Sequence, residues 1–532
     1  MATVTEALVN RLAEEKVRHI FGVPGGECNL DFIAAAEDAG IEFVLTRTET
    51  AAVIMASVSA ELSGNIGVAM TTRGPGIAAA ANGVAYAQLD RAPVLVIADG
   101  YEDDQGYISH QRLDQIALMR PLTKMAEQVS ADAPLAQLDG MLAAMRTAPL
   151  GPAYLEVSGS RIRKPAAEAA PARSPHPITK ADPAAIEDAR ALLATASRPV
   201  VIAGLQARQG DIPQALQAFI EKTGYPLLYT YKAKGVVSDE HPQVVGPYIG
   251  GVAEESAIRS ADLILLFGFD PVEGPPQKWR YDLPLLELTQ HRFEHPLFQA
   301  QVSVVGDIDA SLNALADAAP VSAWLPSELA EMKRSIAGKA RVRKGAGISP
   351  QDVVDEMLAA MPGESRVTVD AGAHMLPVMH LWSARRPNSS LISRGLSTMA
   401  FALPAAIASC LTDPDTPVVA FTGDGGLMMC AGELATAIQF GCKPILVVFN
   451  DSSLTLIGAK QRRRQMAPAG VDFSSTNFAE VARGFGWADF RVTETSELRS
   501  TIQAAVSTGR ATLIDVVIDP HEYDEQIAAL RG

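Results

Sequence analysis

No apolar run in the 532-residue chain reaches the roughly 18–20 residues needed to cross a bilayer, so a membrane-spanning protein is not expected. Cysteine is scarce. Cys28, Cys410, Cys430 and Cys442 show no CxxC spacing and no histidine pair at zinc-finger spacing, which leaves reduced, mostly buried thiols rather than a disulfide frame or zinc site. Positive charge is also short. A net charge of −16 argues against nucleic acid or an anionic membrane as the main partner. The charge does not bar every anion, because a helix N-terminus or a bound metal can still hold a phosphate. The N-terminal stretch MATVTEALVNRLAEEK carries acids and an amphipathic pattern, unlike a signal peptide, and the cytoplasm is the expected compartment.

What is present is a long alternation. Short apolar runs at 43–45, 66–70, 94–97, 200–202, 263–267, 367–369, 418–421 and 445–449 are separated by Ala-rich helical stretches. This pattern predicts an α/β protein built of doubly wound parallel sheets. Residues 162–185 are rich in Pro and Ala without a periodic apolar face and read as a linker. A polar, basic helical segment at 320–350 marks a second break. Three α/β domains follow, at 1–165, 185–325 and 348–532.

Around 418–453 the chain reads PVVAFTGDGGLMMCAGELATAIQFGCKPILVVFNDSSL: strand, Gly-Asp-Gly-Gly, helix, turn, strand, Asn-Asp-Ser-Ser. In a parallel sheet both strands end on the edge where ligands bind, so the crossover returns Asp424 and Asp451 to neighbouring places. Gly423, Gly425 and Gly426 let backbone N–H groups approach a phosphate at the helix start. Two carboxylates beside a phosphate repel unless a cation lies between them, and magnesium suits hard oxygen ligands shared with phosphate. Either fragment alone would be a tight turn or a helix cap. Their pairing after two apolar strands points instead to a site.

This combination resembles the thiamin-diphosphate enzymes, in particular the acetolactate synthase-like branch of the 2-oxoacid decarboxylase and carboligase superfamily, and the resemblance spans essentially the whole chain. It implies a pyrimidine-binding first domain, a central domain and a diphosphate- and Mg2+-binding third domain. Asp424, Asp451 and the carbonyl of Ser453 would hold the metal, with Leu454 and Thr455 beside the cofactor. Most relatives carry Asn where this chain has Asp451, and a shift of one residue would make Asn450 the ligand.

Other segments carry the same resemblance. FVLTRTETAAVIMASVSAELSG is similar to the family's RHEQGAA-type motif, which makes Glu49 the acid that activates the coenzyme's aminopyrimidine. A buried carboxylic acid suits that task, because burial keeps a proton available; read alone, Glu49 is a helix-start glutamate favoured by the macrodipole. FGVPGGECNLDFI contains the loop with Gly25, and TTRGPGIAAAANGVAYAQLDRAPVLVI contains Gly74, Pro75, Gly76 and Asn82, all on the cofactor side. SRGLSTMAFALPAAIASCL places Met399 as the wedge that bends the coenzyme, with the Ser397 carbonyl accepting from its amino group. VTVDAGAHMLPVMHLW places Gly372, Ala373 and His374 along the phosphates.

Relatives that release an aldehyde often carry an Asp after VPG, a His-His pair and a Glu six positions past the metal-binding Asn. Here those places hold Gly26, His110-Gln111 and Ile457. Without a carboxylate there, the resemblance implies decarboxylation of a 2-oxoacid with transfer of the acyl-anion equivalent to a second carbonyl. The alternatives are a benzoylformate-type decarboxylase, another lyase or hydrolase of the superfamily, or an inactive cofactor-binding paralogue. His110 is either a proton shuttle or a supporting hydrogen-bond partner. Lys460 either binds a substrate carboxylate or belongs to a solvated basic run. In acetolactate synthases the central domain holds FAD; here it lacks GxGxxG, so FAD is possible but not indicated. The partners implied are a small 2-oxoacid and a carbonyl acceptor, in a homodimer or homotetramer whose sites lie between subunits.

Overall fold

The computed structural model describes residues 2–102, 104–166, 179–274, 278–293, 298–343 and 345–532. Of the expected linker, 167–178 lies outside them. Three parallel six-stranded sheets flanked by helices form the chain, in line with the three α/β domains expected. The first sheet comprises β1 (His19–Val23), β2 (Glu42–Leu45), β3 (Gly67–Thr71), β4 (Val94–Asp99), β5 (Met125–Gln128) and β6 (Ala153–Val157). The second comprises β7 (Pro199–Ala203), β8 (Leu227–Tyr229), β9 (Val244–Pro247), β10 (Leu263–Phe267), β11 (Leu285–Thr289) and β12 (Val302–Val305). The third comprises β13 (Arg366–Val369), β14 (Ser390–Ile392), β15 (Val418–Gly423), β16 (Ile445–Asn450), β17 (Ala488–Val492) and β18 (Thr512–Val517).

The central strands are apolar along their whole length because both faces are covered. Every residue of β3, β4, β7, β10 and β16 is buried. The edge strands β5 and β17 are only partly covered and carry charge. The first sheet runs β2-β1-β3-β4-β6-β5 and the third β14-β13-β15-β16-β18-β17, the same order offset by twelve strands. The first and third domains are therefore two copies of one winding.

By contact, the chain divides into two compact units. One comprises Met1–Pro177, Gly395–Asp415 and Met429–Cys442; the other comprises Ile178–Arg394, Thr416–Met428 and Lys443–Gly532. The first unit holds the first sheet, and in it the helix Ala402–Thr412 packs on the helix Glu49–Ser63. The second unit holds the second and third sheets. No helix among the described residues is long and apolar enough to cross a membrane.

Candidate active site

Residues singled out in the sequence lie at the carboxyl ends of the first and third sheets. In the first unit, Glu49 opens the helix Glu49–Ser63, whose buried residues run without a break from Ala51 to Val58. Thr48 caps it, its Oγ1 accepting from the Ala51 N–H at 3.2 Å. A carboxylate at this first turn is favoured by the helix dipole. The Glu49 Oε1 lies 3.5 Å from where a Cβ on Gly76 would stand, so the acid and the Gly74–Gly76 turn are brought together.

That turn needs its glycines. Gly74 has φ +65°, and a Cβ there would sit 2.4 Å from the Gln111 carbonyl. Its N–H donates to Gln115 Oε1 at 2.6 Å. Gln115 is buried, and its Nε2 donates to Glu156 Oε2 at 2.8 Å and the Asp99 carbonyl at 3.0 Å. The Gly25 loop rests on the same floor. Gly25 donates to Asn29 Oδ1 at 2.8 Å, and Asn29 Nδ2 donates to Asp99 Oδ1 at 2.9 Å. Asp99 Oδ2 has no hydrogen-bond partner, and burial pushes the carboxyl up to about 6. Gly26, His110 and Gln111 are exposed, Gln111 in a left-handed backbone conformation.

The 395–399 loop belongs to this unit too. Asp90, fully buried at the end of the helix Pro75–Leu89, accepts from the Gly395 N–H at 3.2 Å. Asn82 Nδ2 donates to Thr398 Oγ1 at 3.0 Å. Asn82 is thus brought to the Ser397–Met399 loop rather than left on an open helix face. Ser397 is exposed with φ +55°, and Met399 is half-buried.

In the second unit, Asp424 is the first residue of the helix Asp424–Cys430. Its Oδ1 accepts from Gly425 at 2.6 Å, and its Oδ2 accepts from the Asp451 and Ser452 N–H groups at 3.1 and 2.6 Å. Asp451 Oδ1 accepts from Ser453 at 3.2 Å, and its Oδ2 accepts from the Thr455 hydroxyl. The Asp424 carboxylate therefore meets the backbone at the end of β16 across the crossover, close enough for its charge to act on Asp451. Burial, with Asp424's charge added, pushes Asp451 up to about 6, and burial raises Asp424 as well. Asn450 points elsewhere: its Nδ2 donates to Asp515 at 2.8 Å and to the Thr476 carbonyl at 2.9 Å inside the fold. Of the two candidates at this strand end, Asp451 is the one beside Asp424.

Asp370, at the end of β13, supports the glycine turn from below. The Thr422 hydroxyl donates to its Oδ2 at 2.6 Å, and a Cβ on Gly426 would lie 2.3 Å from that oxygen. The His374 ring lies against Gly372 and Gly423 and stacks on Phe449 at 5.6 Å. Burial pushes this histidine down to about 4, and its Nε2 has no partner. Ala373 is buried beside it. The Leu454 N–H is tied to the Val471 carbonyl at 2.8 Å and the Ser453 hydroxyl to Asp472 at 2.8 Å. Ile457 and Lys460 are exposed, three positions apart on the helix Thr455–Arg463 and so on one face. In the central domain, the Leu205 N–H after β7 donates to Glu273 at 2.7 Å, a buried carboxyl pushed up to about 7 by that burial.

Sequence reasoning missed Asp90, Asp99, Gln115 and Asp370. Asp99 and Asp370 each end an apolar strand just before a Gly-containing loop, which was the available signal; Asp90 and Gln115 carried none.

The second unit thus presents two carboxylates beside a glycine turn on one sheet edge, and the first unit a glutamate heading an apolar helix beside a Gly-Pro-Gly turn. The chain belongs to the thiamine pyrophosphate enzyme family: the N-terminal TPP binding domain matches residues 2–118, the central domain 186–315 and the C-terminal TPP binding domain 370–516. Within that family it is 28% identical to an acetolactate synthase of Bacillus subtilis over 97% of this chain and 93% of that protein. It is 27% identical to a catabolic acetolactate synthase of Raoultella terrigena, over 97% and 94% of the two chains. A probable 2-ketoarginine decarboxylase of Pseudomonas aeruginosa is 29% identical, again over 97% and 94%. The family resemblance drawn from the GDGG segment is thereby borne out.

Proposed function

We propose that the protein is a thiamin-diphosphate- and magnesium-dependent enzyme that decarboxylates a 2-oxoacid and transfers the acyl-anion equivalent to a second carbonyl compound. The observation that carries this reading is the meeting of Asp424 and Asp451 at the ends of β15 and β16. Left alone, two half-desolvated carboxylates destabilise each other. Together they would suit a divalent cation, which when bound would offset that repulsion and supply charge for a diphosphate. Among the described residues no three His, Cys, Asp or Glu side chains converge, so Asp424, Asp451 and the Ser453 carbonyl would be the chain's share of the metal's oxygen ligands.

When bound, thiamin diphosphate supplies the electron sink for the bonding pair released with carbon dioxide. The chain's residues do the rest. Gly423, Gly425 and Gly426 leave room for phosphate oxygens against the helix start. His374, neutral around pH 7 with its Nε2 free, lies at the same edge. Glu49 would meet the pyrimidine ring, and Met399 and the Ser397 carbonyl would orient the coenzyme. Gly26, Gln111 and Ile457 put no carboxylate where a rapid proton donor would stand, which favours attack on a second carbonyl over aldehyde release. His110 and Lys460 are exposed in the single chain and are assigned to the substrate side. The active unit is a cytoplasmic homodimer or homotetramer, each site completed by Glu49 from the neighbouring subunit.

The likeness to a probable 2-ketoarginine decarboxylase supports a second reading, simple decarboxylation with aldehyde release. Turnover of pyruvate with and without thiamin diphosphate and magnesium, followed by product analysis, tests both. Acetolactate formed only with both cofactors is expected. Free aldehyde as the sole product selects the second reading, and cofactor-independent turnover rejects both.

A further inference from the structure

We infer that Glu433 is the positioning residue for Glu49. It heads the helix Glu433–Gln439, 385 positions beyond Thr48, yet both belong to the first unit. Its Oε1 accepts from the Arg47 N–H at 3.0 Å, the Thr48 N–H at 3.0 Å and the Thr48 hydroxyl at 3.3 Å. Its Oε2 accepts from the Thr436 hydroxyl at 2.8 Å. Both oxygens are engaged, and the side chain is fully buried.

Burying a carboxylate is costly unless its hydrogen bonds are made, and here the donors are the two backbone amides immediately before Glu49. Those amides have no partner within the helix they precede. A second contact holds the same segment: Arg47 Nη2 donates to Gln439 Oε1 at 2.7 Å, one helix length further along. Gly432 permits the approach, since a Cβ there would stand 3.2 Å from the Arg47 Cβ. The backbone leading into Glu49 is therefore clamped at both ends of one helix. The acid's placement is set from the segment 433–439, not by the first sheet alone.

The inference rests on Glu49 being the group that touches the coenzyme. A misplacement of about 1 Å costs roughly 100-fold in rate when the displaced group must meet its target in register. The test is steady-state turnover by purified full-length enzyme, expressed per coenzyme-bound site, with KM and the thiamin-diphosphate dissociation constant measured in parallel. Glu433→Ala is expected to lower kcat by roughly 100-fold with KM and coenzyme affinity within about threefold of the unmodified enzyme. Glu433→Gln retains an oxygen for the Arg47 and Thr48 amides and is expected to recover kcat to within about tenfold of that enzyme. Thr48→Val, which removes the hydroxyl's contact to Glu433 and its cap on the Ala51 N–H but keeps both backbone donors, covers the case in which Glu433→Ala does not fold; its expected loss is about tenfold.

A purely structural role would instead reduce the fraction of folded, coenzyme-bound sites and leave kcat per bound site unchanged. That result in Glu433→Ala, or in Thr48→Val if the former is insoluble, overturns the inference. Glu49→Gln serves as the separate control: full activity there overturns the proposed function itself, whatever the Glu433 variants do.

Discussion

Replacing Gly426 by alanine puts a methyl group into the narrowest contact of the diphosphate turn. The new Cβ would stand 2.3 Å from Asp370 Oδ2 and 2.8 Å from Thr422 Oγ1, between two atoms that are hydrogen-bonded at 2.6 Å. They must separate. Losing a hydrogen bond to a charged, buried acceptor costs about 1.5–3 kcal/mol. Overpacking in a close-packed interior adds about 1–3 kcal/mol. Gly426→Ala is thus expected to lose about 2.5–6 kcal/mol of stability and to lose coenzyme binding with it. Gly423→Ala is the internal comparison. Its Cβ would meet only the His374 ring, at 3.3 Å, so a side chain must give by tenths of an ångström and no hydrogen-bonded pair is driven apart. A cost below about 1 kcal/mol is expected there. Urea unfolding of both variants, beside calorimetric titration with thiamin diphosphate and magnesium, makes the comparison. Equal unfolding midpoints for the two variants, or full coenzyme affinity in Gly426→Ala, would refute the reasoning.

Three further outcomes follow from neighbouring groups. Asp99 has its carboxyl raised from 3.8 to about 6 by burial, so the folded state binds the extra proton between those values and stability falls as pH rises through them. Asp99→Asn is expected to match the unmodified protein near pH 4 and to exceed it by about 3 kcal/mol at pH 8; parallel denaturation curves at both pH values check this, and a constant difference would contradict it. Gln115→Ala strands the buried Gly74 N–H and is expected to cost about 1–3 kcal/mol and lower kcat, read from melting and turnover. Ser397→Gly relieves the left-handed strain of about 1–2 kcal/mol but gives back about 0.5–1 kcal/mol in chain entropy. Near-unchanged stability and activity are expected, and a tenfold loss of activity would show that the side chain acts, not the carbonyl.

The architecture was readable because parallel strands covered on both faces are continuous apolar runs, and every run marked in the sequence falls within or overlaps a strand. The shared order of the first and third sheets was not readable. Strand order is decided by which crossover packs where, which no single segment records. Asp424, Asp451 and Glu49 stood out because each comes just after an apolar strand, Asp424 among glycines and Glu49 at the head of an Ala-rich helix. Asn450 and Asp451 could not be separated in advance: both lie at the end of β16, and the choice turns on the alternation that sends Asn450 inward to Asp515. Glu433 is locally a helix-start glutamate and nothing more, since its partners, Arg47 and Thr48, lie nearly four hundred residues earlier. Contacts of that kind are made by the tertiary fold and leave no local trace.

The central claim is that Asp424 and Asp451 hold a diphosphate through a divalent cation. Isothermal calorimetry with thiamin diphosphate, run with magnesium, with a chelator, and on Asp424→Ala with magnesium, tests it most directly. Heat of binding is expected only in the first of the three. Equal heat in the presence of the chelator, or from the Asp424→Ala protein, would contradict the claim.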